Sequence, residues 1–324
     1  MRCAGFQSPL AEGIQRFLLH KRALGRRFET EEWSLRLLDR FLVEHGISTM
    51  TDVTAEVVDV FLASRPRRSS RSYNQLLGVL RRLFDWLVAH TDLDRSPVHG
   101  CSRHATGQRI PFIFDAEQAH RLLELAGELP DACNTQLRGP TYRTIFALLY
   151  GLGFRVGEVC RLCVQDLDPK RRLLVIRQTK FAKSRLVPFG PRLGKLLQHY
   201  LALREARCVV LAPNAPLFSM MGNRPVGRGT IGSTFRNLLP ELDLKVPPGS
   251  SPPRLHSLRH SFAVGTLLRW YRAGMDPAQR LLHLSTFLGH VSPESTAVYL
   301  TITDALLQAA SERFACPVFK EVSK

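Results

Sequence analysis

The stretch HSLRHSFAVGTLL from His256 to Leu268, then STFLGH ending at His290, then VSPESTAVYL with Tyr299 near its end, decides how this chain is read. On a helix, His256, Arg259 and His260 stand at i, i+3 and i+4 and project from one face. Leu258, Phe262 and Leu267 then line the packed side. Two imidazoles and one guanidinium therefore point into the same small volume. His290 and Tyr299 are nine positions apart with Pro293 between them, a spacing that suits a turn followed by a short helix carrying the tyrosine back toward the basic cluster. Cations converging on one hydroxyl suit phosphoryl chemistry, because fixed donors stabilise the charge spread over a phosphodiester transition state.

Two further stretches carry chemistry. In Tyr150-Gly-Leu-Gly153-Phe-Arg155-Val-Gly-Glu158 the glycines allow a tight turn, and Arg155 falls at or just before the next helix. A helix N-terminus beside a guanidinium favours a phosphate, and Glu158 is placed to anchor a neighbouring donor. Residues 173–179 and 185–189 are β-branched and apolar, with Lys180-Phe-Ala-Lys183-Ser between them, which predicts a hairpin.

Together these residues resemble the tyrosine recombinases, the phage-integrase family. That family's second signature is His-x-x-Arg-His, then Leu-Gly-His, then a tyrosine nine residues on. It is matched in order by His256/Arg259/His260, Leu288-Gly289-His290 and Tyr299. The run around Arg155 closely resembles the first signature, in which an arginine in a Gly-Leu-x-Arg-x-x-Glu-Leu run is catalytic, with Val159 where leucine is common. The family's catalytic lysine sits on a hairpin turn in a Lys-x-x-Lys-x-Arg pattern. That pattern falls on Lys180, Lys183 and Arg185, with Phe181 in place of the usual glycine.

The resemblance implies a mainly α chain with a small β-sheet. An N-terminal helical core-binding (DNA-binding) bundle is expected over residues 1–100, a linker over 101–110, and an α+β catalytic domain over 111–324. The implied activity is site-specific DNA recombination or integration, of the mobile-element type, through a 3′-phosphotyrosyl intermediate. Tyr299 attacks the phosphate, Arg155 and Arg259 clamp its nonbridging oxygens, and Lys180 protonates the leaving 5′ oxygen. His256 aids proton transfer at Tyr299 and His290 binds the phosphate, with Glu158, His260 and Lys183 in support. No cofactor and no metal are implied. The implied partner is double-stranded DNA, held by a homotetramer on paired sites, with related recombinases as further candidates. A type IB topoisomerase-like nicking and resealing enzyme shares the constellation; a non-catalytic DNA-binding regulator is the third reading.

Composition agrees with a polyanion partner. The net charge is +17, from 45 Lys+Arg against 28 Asp+Glu, and such an excess marks nucleic-acid binders. No apolar run approaches the ~20 residues of a membrane span, and the first residues lack an apolar leader core. A cytoplasmic, nucleoid-associated bacterial protein is expected. Seven cysteines, an odd and scattered number, form no disulfide framework. Cys160-x-x-Cys163 reads as packed thiols inside an apolar helical pattern. His99, Cys101 and His104 lack a fourth metal ligand.

Helical periodicity marks residues 8–27 (opened by Ser8-Pro9), 30–45, 54–63 and 72–90. In the second of these Thr30 is the expected cap and Trp33, Leu37, Leu38, Phe41 and Leu42 the buried stripe. Arg65, Arg67, Arg68 and Arg71 in the loop that follows, with Arg81 and Arg82 on the last helix, are the candidate phosphate contacts. Further helices are expected over 115–129, with a capping box at Asp115, and over 141–150, 191–207, 230–239 and 302–314. The last either packs on its own domain or docks on a neighbouring subunit.

Overall fold

The computed structural model describes residues 5–26, 28–67, 69–90, 92–104, 110–177, 184–207, 211–290, 292 and 294–301. The chain divides into two compact units, Met1–Gln108 and Arg109–Lys324.

Among its described residues the first unit holds four helices: α1 (Ala11–Ala23), α2 (Glu29–Glu44), α3 (Ala55–Ser64) and α4 (Ser70–Ala89). Their apolar faces share one core, in which Leu76, Leu77, Leu80, Leu83, Phe84 and Leu87 form the stripe of α4. The sequence placed the start of the first helix too early. The amides of Gln7 and Ser8 donate to the Asp39 carboxylate at 2.8 to 3.1 Å, which pins this segment outside α1. Thr30 is not the cap of α2 either. Phe28, in left-handed conformation (φ 54°), precedes the helix, and Thr30 lies in its first turn.

Trp33 is 60% exposed and outside the core. The buried face runs through Leu35, Leu38, Phe41 and Leu42. Trp33 is two residues before Leu35, about 200° around a 3.6-residue helix, and so faces outward. Residues expected to begin the linker lie against α4. Asn74 clasps Arg103 through two 2.8 Å bonds, Nδ2 to the carbonyl and Oδ1 from the amide. The Arg103 guanidinium covers the Tyr73 ring at 3.9 Å.

The second unit is built on α6 (Arg138–Gly151), whose Tyr142, Ile145, Phe146, Leu148 and Leu149 are buried. The helix begins three residues before the expected Thr141, because the Arg138 amide bonds Asp131 Oδ1 at 2.8 Å. Against it lies α5 (Ala116–Gly127), opened by the expected capping box of Asp115 and Gln118. The turn after α6 leads into α7 (Val156–Val159). This helix stops there, so the expected helical setting of Cys160-x-x-Cys163 is incorrect: Cys160 caps α7 and Cys163 opens a separate 3-10 turn.

Strands β1 (Leu167–Asp168), β2 (Leu173–Ile176) and β3 (Arg185–Pro188) form an antiparallel sheet in that order, with Leu174 opposite Val187 and Ile176 opposite Arg185. Strand β1 and the small hairpin of β4 (Ser219–Met221) and β5 (Arg224–Pro225) are too short to show a period in sequence. Helices α8 (Pro191–Glu205) and α9 (Arg228–Leu238) close the core. Among the described residues three more helices follow: α10 (Leu255–Arg272), α11 (Pro277–Leu288) and α12 (Glu294–Ala297), the last running into a 3-10 turn at Val298–Thr301. The long interval between the two histidine motifs is thus the end of α10 and most of α11. The expected helix over 302–314 lies outside the described residues. No described helix is long and apolar enough to cross a membrane.

A Cβ added to Gly139 would fall 2.2 Å from the Gly127 carbonyl oxygen, where α6 crosses the end of α5. Gly139→Ala should therefore cost about 1–3 kcal/mol in urea denaturation, from overpacking against backbone that cannot yield. Gly265→Ala, with nothing within 4 Å, should leave stability unchanged or raise it by about 0.5–1 kcal/mol through helix propensity.

Candidate active site

The site is organised by the C-terminal end of α11. The last carbonyls of a helix lack intrahelical partners and carry its negative dipole end. Here three arginines meet them. Arg185, on β3, donates Nε to the Phe287 carbonyl at 2.9 Å. Arg259, on the first turns of α10, donates Nη2 to the Leu288 carbonyl at 2.8 Å and Nη1 to that of Gly153 at 2.5 Å. Arg155, the N-cap of α7, donates Nη2 to the Gly289 carbonyl at 2.9 Å. Gly153 and Gly289 hold positive φ, 62° and 67°, which turns their carbonyls toward these guanidiniums at little steric cost.

Glu158 ties two of the cations together. It is 3% exposed and accepts Arg155 Nη1 at 3.0 Å and the Arg155 amide at 2.9 Å. Arg185 grips it with both terminal nitrogens, at 2.9 and 3.0 Å. Burial alone would raise the Glu158 pKa, but the hydrogen bonds and charges of Arg185, then Arg155, outweigh it, so the net shift is downward. Bidentate pairing of this kind fixes direction as well as charge. Arg185 is the residue the sequence reading passed over. It stood in the Lys-x-x-Lys-x-Arg pattern without a role, and only the fold shows that it joins β3, α7 and α11.

The opposite wall is aromatic. Tyr299, 4% exposed, bonds through its hydroxyl to His260 Nδ1 at 2.8 Å. The His256 and His260 rings stand perpendicular, with centroids 4.6 Å apart. The His290 ring lies nearly parallel to that of Tyr299 at 6.4 Å, and its Nδ1 bonds the buried Thr296 hydroxyl at 2.6 Å. The hydroxyl's partner is therefore His260, the residue expected to stand behind the site. Among the described residues no hydrogen bond joins Tyr299 to His256, which was expected to serve it.

Burial, then neighbouring cations and imidazoles, lowers His260 and His290 to about 4. His256, whose ring solvent still reaches, shifts the same way, by desolvation first and then Arg259 and Arg155. Burial raises the Tyr299 phenol pKa against the opposing pull of Arg259 and Arg155. The resting site thus holds neutral imidazoles, a neutral phenol and a set of guanidiniums. Arg259, 1% exposed, loses some proton affinity to burial and then to Arg155, but a guanidinium remains charged at neutral pH.

The structure brings together Arg155, Glu158, His256, Arg259, His260, His290 and Tyr299 within the second unit. Lys180 and Lys183 lie outside the described residues, as does Arg68. In the first unit Arg71 and Arg82 are exposed, the latter over the Phe28 ring. Arg65 and Arg67 are half-buried, and Arg67 donates to the Ser72 hydroxyl. Arg81 is bound to the Gly100 carbonyl at 2.6 Å. Among the described residues no group of His, Cys, Asp and Glu could hold a metal ion.

Residues 114–305 match the model of the phage integrase family, which takes in this whole site. The chain belongs to that family. It is a tyrosine-type, site-specific recombinase of the integrase kind. It is 35% identical over 309 residues to the putative integrase/recombinase y4rB of Sinorhizobium fredii, covering 94% of this chain and 97% of that one. It is also 27% identical to the tyrosine recombinase XerC of Escherichia coli O157:H7, over 82% of each chain. In fold the recombinase resembles the Tn1549 transposon integrase (TM-score 0.64, 18% identity, 94% and 99% of the two chains). A lambda integrase is similar too (TM-score 0.62, 15% identity, 90% and 95%).

Two outcomes follow from the electrostatics. The imidazoles have folded-state pKa values near 4, below an ordinary value of 6.5. Between those values the unfolded chain binds more protons. Thermal stability should therefore be full above about pH 6.5 and fall steadily toward pH 4; a flat melting temperature across that range would contradict the assignment. Arg185→Ala strips the bidentate partner from a buried carboxylate and should cost about 3–5 kcal/mol, read as a lowered urea midpoint. Arg185→Lys should recover only part of it, since an ammonium cannot pair both oxygens in the same fork.

Proposed function

We propose that this recombinase cuts and rejoins double-stranded DNA through a 3′-phosphotyrosyl bond formed on Tyr299. Arg155 and Arg259 clamp the nonbridging oxygens of the scissile phosphate. Each keeps guanidinium N–H donors beyond those spent on carbonyls and Glu158. Lys180 protonates the departing 5′ oxygen, with Lys183 as the lesser candidate for that role. His290 binds the phosphate, and Glu158 keeps Arg155 aligned. The bond energy is stored in the phosphotyrosyl link, so the reaction runs without a nucleotide cofactor.

The observation that carries this reading is the Tyr299 hydroxyl held at 2.8 Å by an imidazole of the same α10 face that presents Arg259. The nucleophile, its neighbouring imidazole and the clamping cation thus occupy one site. DNA as partner is supported by the basic excess and by the solved relatives. The Tn1549 integrase is described in complex with a circular intermediate DNA, and the lambda integrase as a dimer bound to a core site.

The first unit serves as the core-binding domain, with Arg71 and Arg82 as its exposed phosphate contacts. Residues 101–110, most of them within the first unit, serve as the linker, and the second unit is the catalytic domain. Four copies assemble on paired sites, with related recombinases as further candidates, and the place of work is the bacterial nucleoid. A transposon-type integration role agrees with the Tn1549 likeness.

Tyr299→Phe should leave DNA binding intact in a mobility-shift assay and abolish the covalent protein–DNA species on a denaturing gel. An adduct that survives the substitution would overturn the assignment.

A further inference from the structure

We propose that His260 is the base that takes the phenol proton from Tyr299. This rests on the reading of Tyr299 as the nucleophile and assigns the proton's destination, for which the family resemblance implied His256.

The geometry is direct. His260 Nδ1 stands 2.8 Å from the Tyr299 hydroxyl, inside the range a general base requires. The other two imidazoles are differently engaged. His290 spends its Nδ1 on Thr296 at 2.6 Å. His256 meets His260 edge to face at 4.6 Å between centroids, and no hydrogen bond among the described residues joins it to the phenol. His260 is placed one helical turn after His256 on α10, whose turns pack on the 3-10 segment that carries Tyr299. Helix register thus sets one imidazole at the open side of the site and the next against the nucleophile.

The need for a base is equally physical. Tyr299 is 4% exposed, and burial works against spontaneous ionisation of its phenol. A neutral imidazole offers a lone pair at Nδ1 when its tautomer carries hydrogen on Nε2. As the Tyr299 oxygen bonds to phosphorus, the P–O5′ bond breaks and the leaving oxygen takes a proton from Lys180. The phenol proton passes to His260 Nδ1. In rejoining, the 5′ hydroxyl attacks, the phenolate leaves, and His260 returns the proton. No oxidant or co-reactant enters. The imidazolium formed in the forward step lies beside a phosphate carrying extra negative charge, which favours the transfer. The titratable and charged groups facing His260 are His256 and Arg259 on α10 and Tyr299 on the 3-10 turn, with His290 across the tyrosine ring.

The test uses the full chain and a nicked duplex covering the DNA ends that flank its gene, with single-turnover formation of the covalent adduct as readout. His260→Asn places an amide oxygen near the Nδ1 position, so it can hold the phenol but not take its proton. It should slow adduct formation about 10²–10⁴-fold, the usual contribution of a general base. It should also abolish the fall in rate that the parent protein shows as pH drops through the imidazole's titration. His260→Gly should regain activity when imidazole is added, in proportion to its free base. Adduct formation by His260→Asn within a few-fold of the parent rate would overturn the proposal. So would a His260→Gly protein that binds DNA normally but ignores imidazole. Tyr299→Phe separates the two readings. If the adduct survives that change, the nucleophile itself is misassigned. If it is lost while the His260 variants stay fast, only the base is.

Discussion

Glu158 is the constraint on which the site depends. A carboxylate 3% exposed is tolerated only when its charge is met at close range. Here it is met by two arginines from different elements, one capping α7 and one on β3. The same two guanidiniums, with Arg259, close the end of α11 through the carbonyls of residues 287–289. Cations that would otherwise repel are thus held by one anion and by the negative end of a helix. The consequence is preorganisation. Under the proposed function, guanidiniums whose directions are fixed before an anion arrives leave little reorganisation for the reaction itself.

The other wall works by the opposite device. Its three imidazoles and its phenol are kept neutral by their surroundings. Positive charge in the resting site is therefore concentrated on the arginines, and the aromatic groups remain free to exchange a proton. A phosphate entering between the walls would meet fixed cations on one side and proton-transfer groups on the other. Under the proposed function that separation distinguishes clamping from activation. Tyr299 lies on the 3-10 turn at Val298–Thr301, nine residues on from His290 and packed back on the face of α10.

Much of this was legible in the chain, because its spacings are helical. His256, Arg259 and His260 at i, i+3 and i+4 had to share a face, and Gly289 followed by a short interval to Tyr299 had to turn back. The capping box at Asp115 was equally readable. Other features depend on contacts between distant segments, which periodicity does not carry. Arg185 is committed to a residue 27 positions away, and the choice of His260 over His256 rests on one rotamer pairing across 39 positions. Trp33 misled as an aromatic in a helix, although its phase sets it against the stripe of Leu35 and Leu38. The early end of α7 at Val159 was hidden by an apolar run that the turn carries on through Leu162.

Under the proposed function one tyrosine, buried among these cations and imidazoles, becomes bonded to DNA. This can be tested by trapping the adduct on a nicked duplex, digesting it with protease and locating the nucleotide-bearing peptide by mass spectrometry. A single modified peptide is expected, with the phosphodiester on Tyr299. A modification on Tyr271, Tyr150 or a serine, or an adduct-free product after strand cleavage, would contradict it.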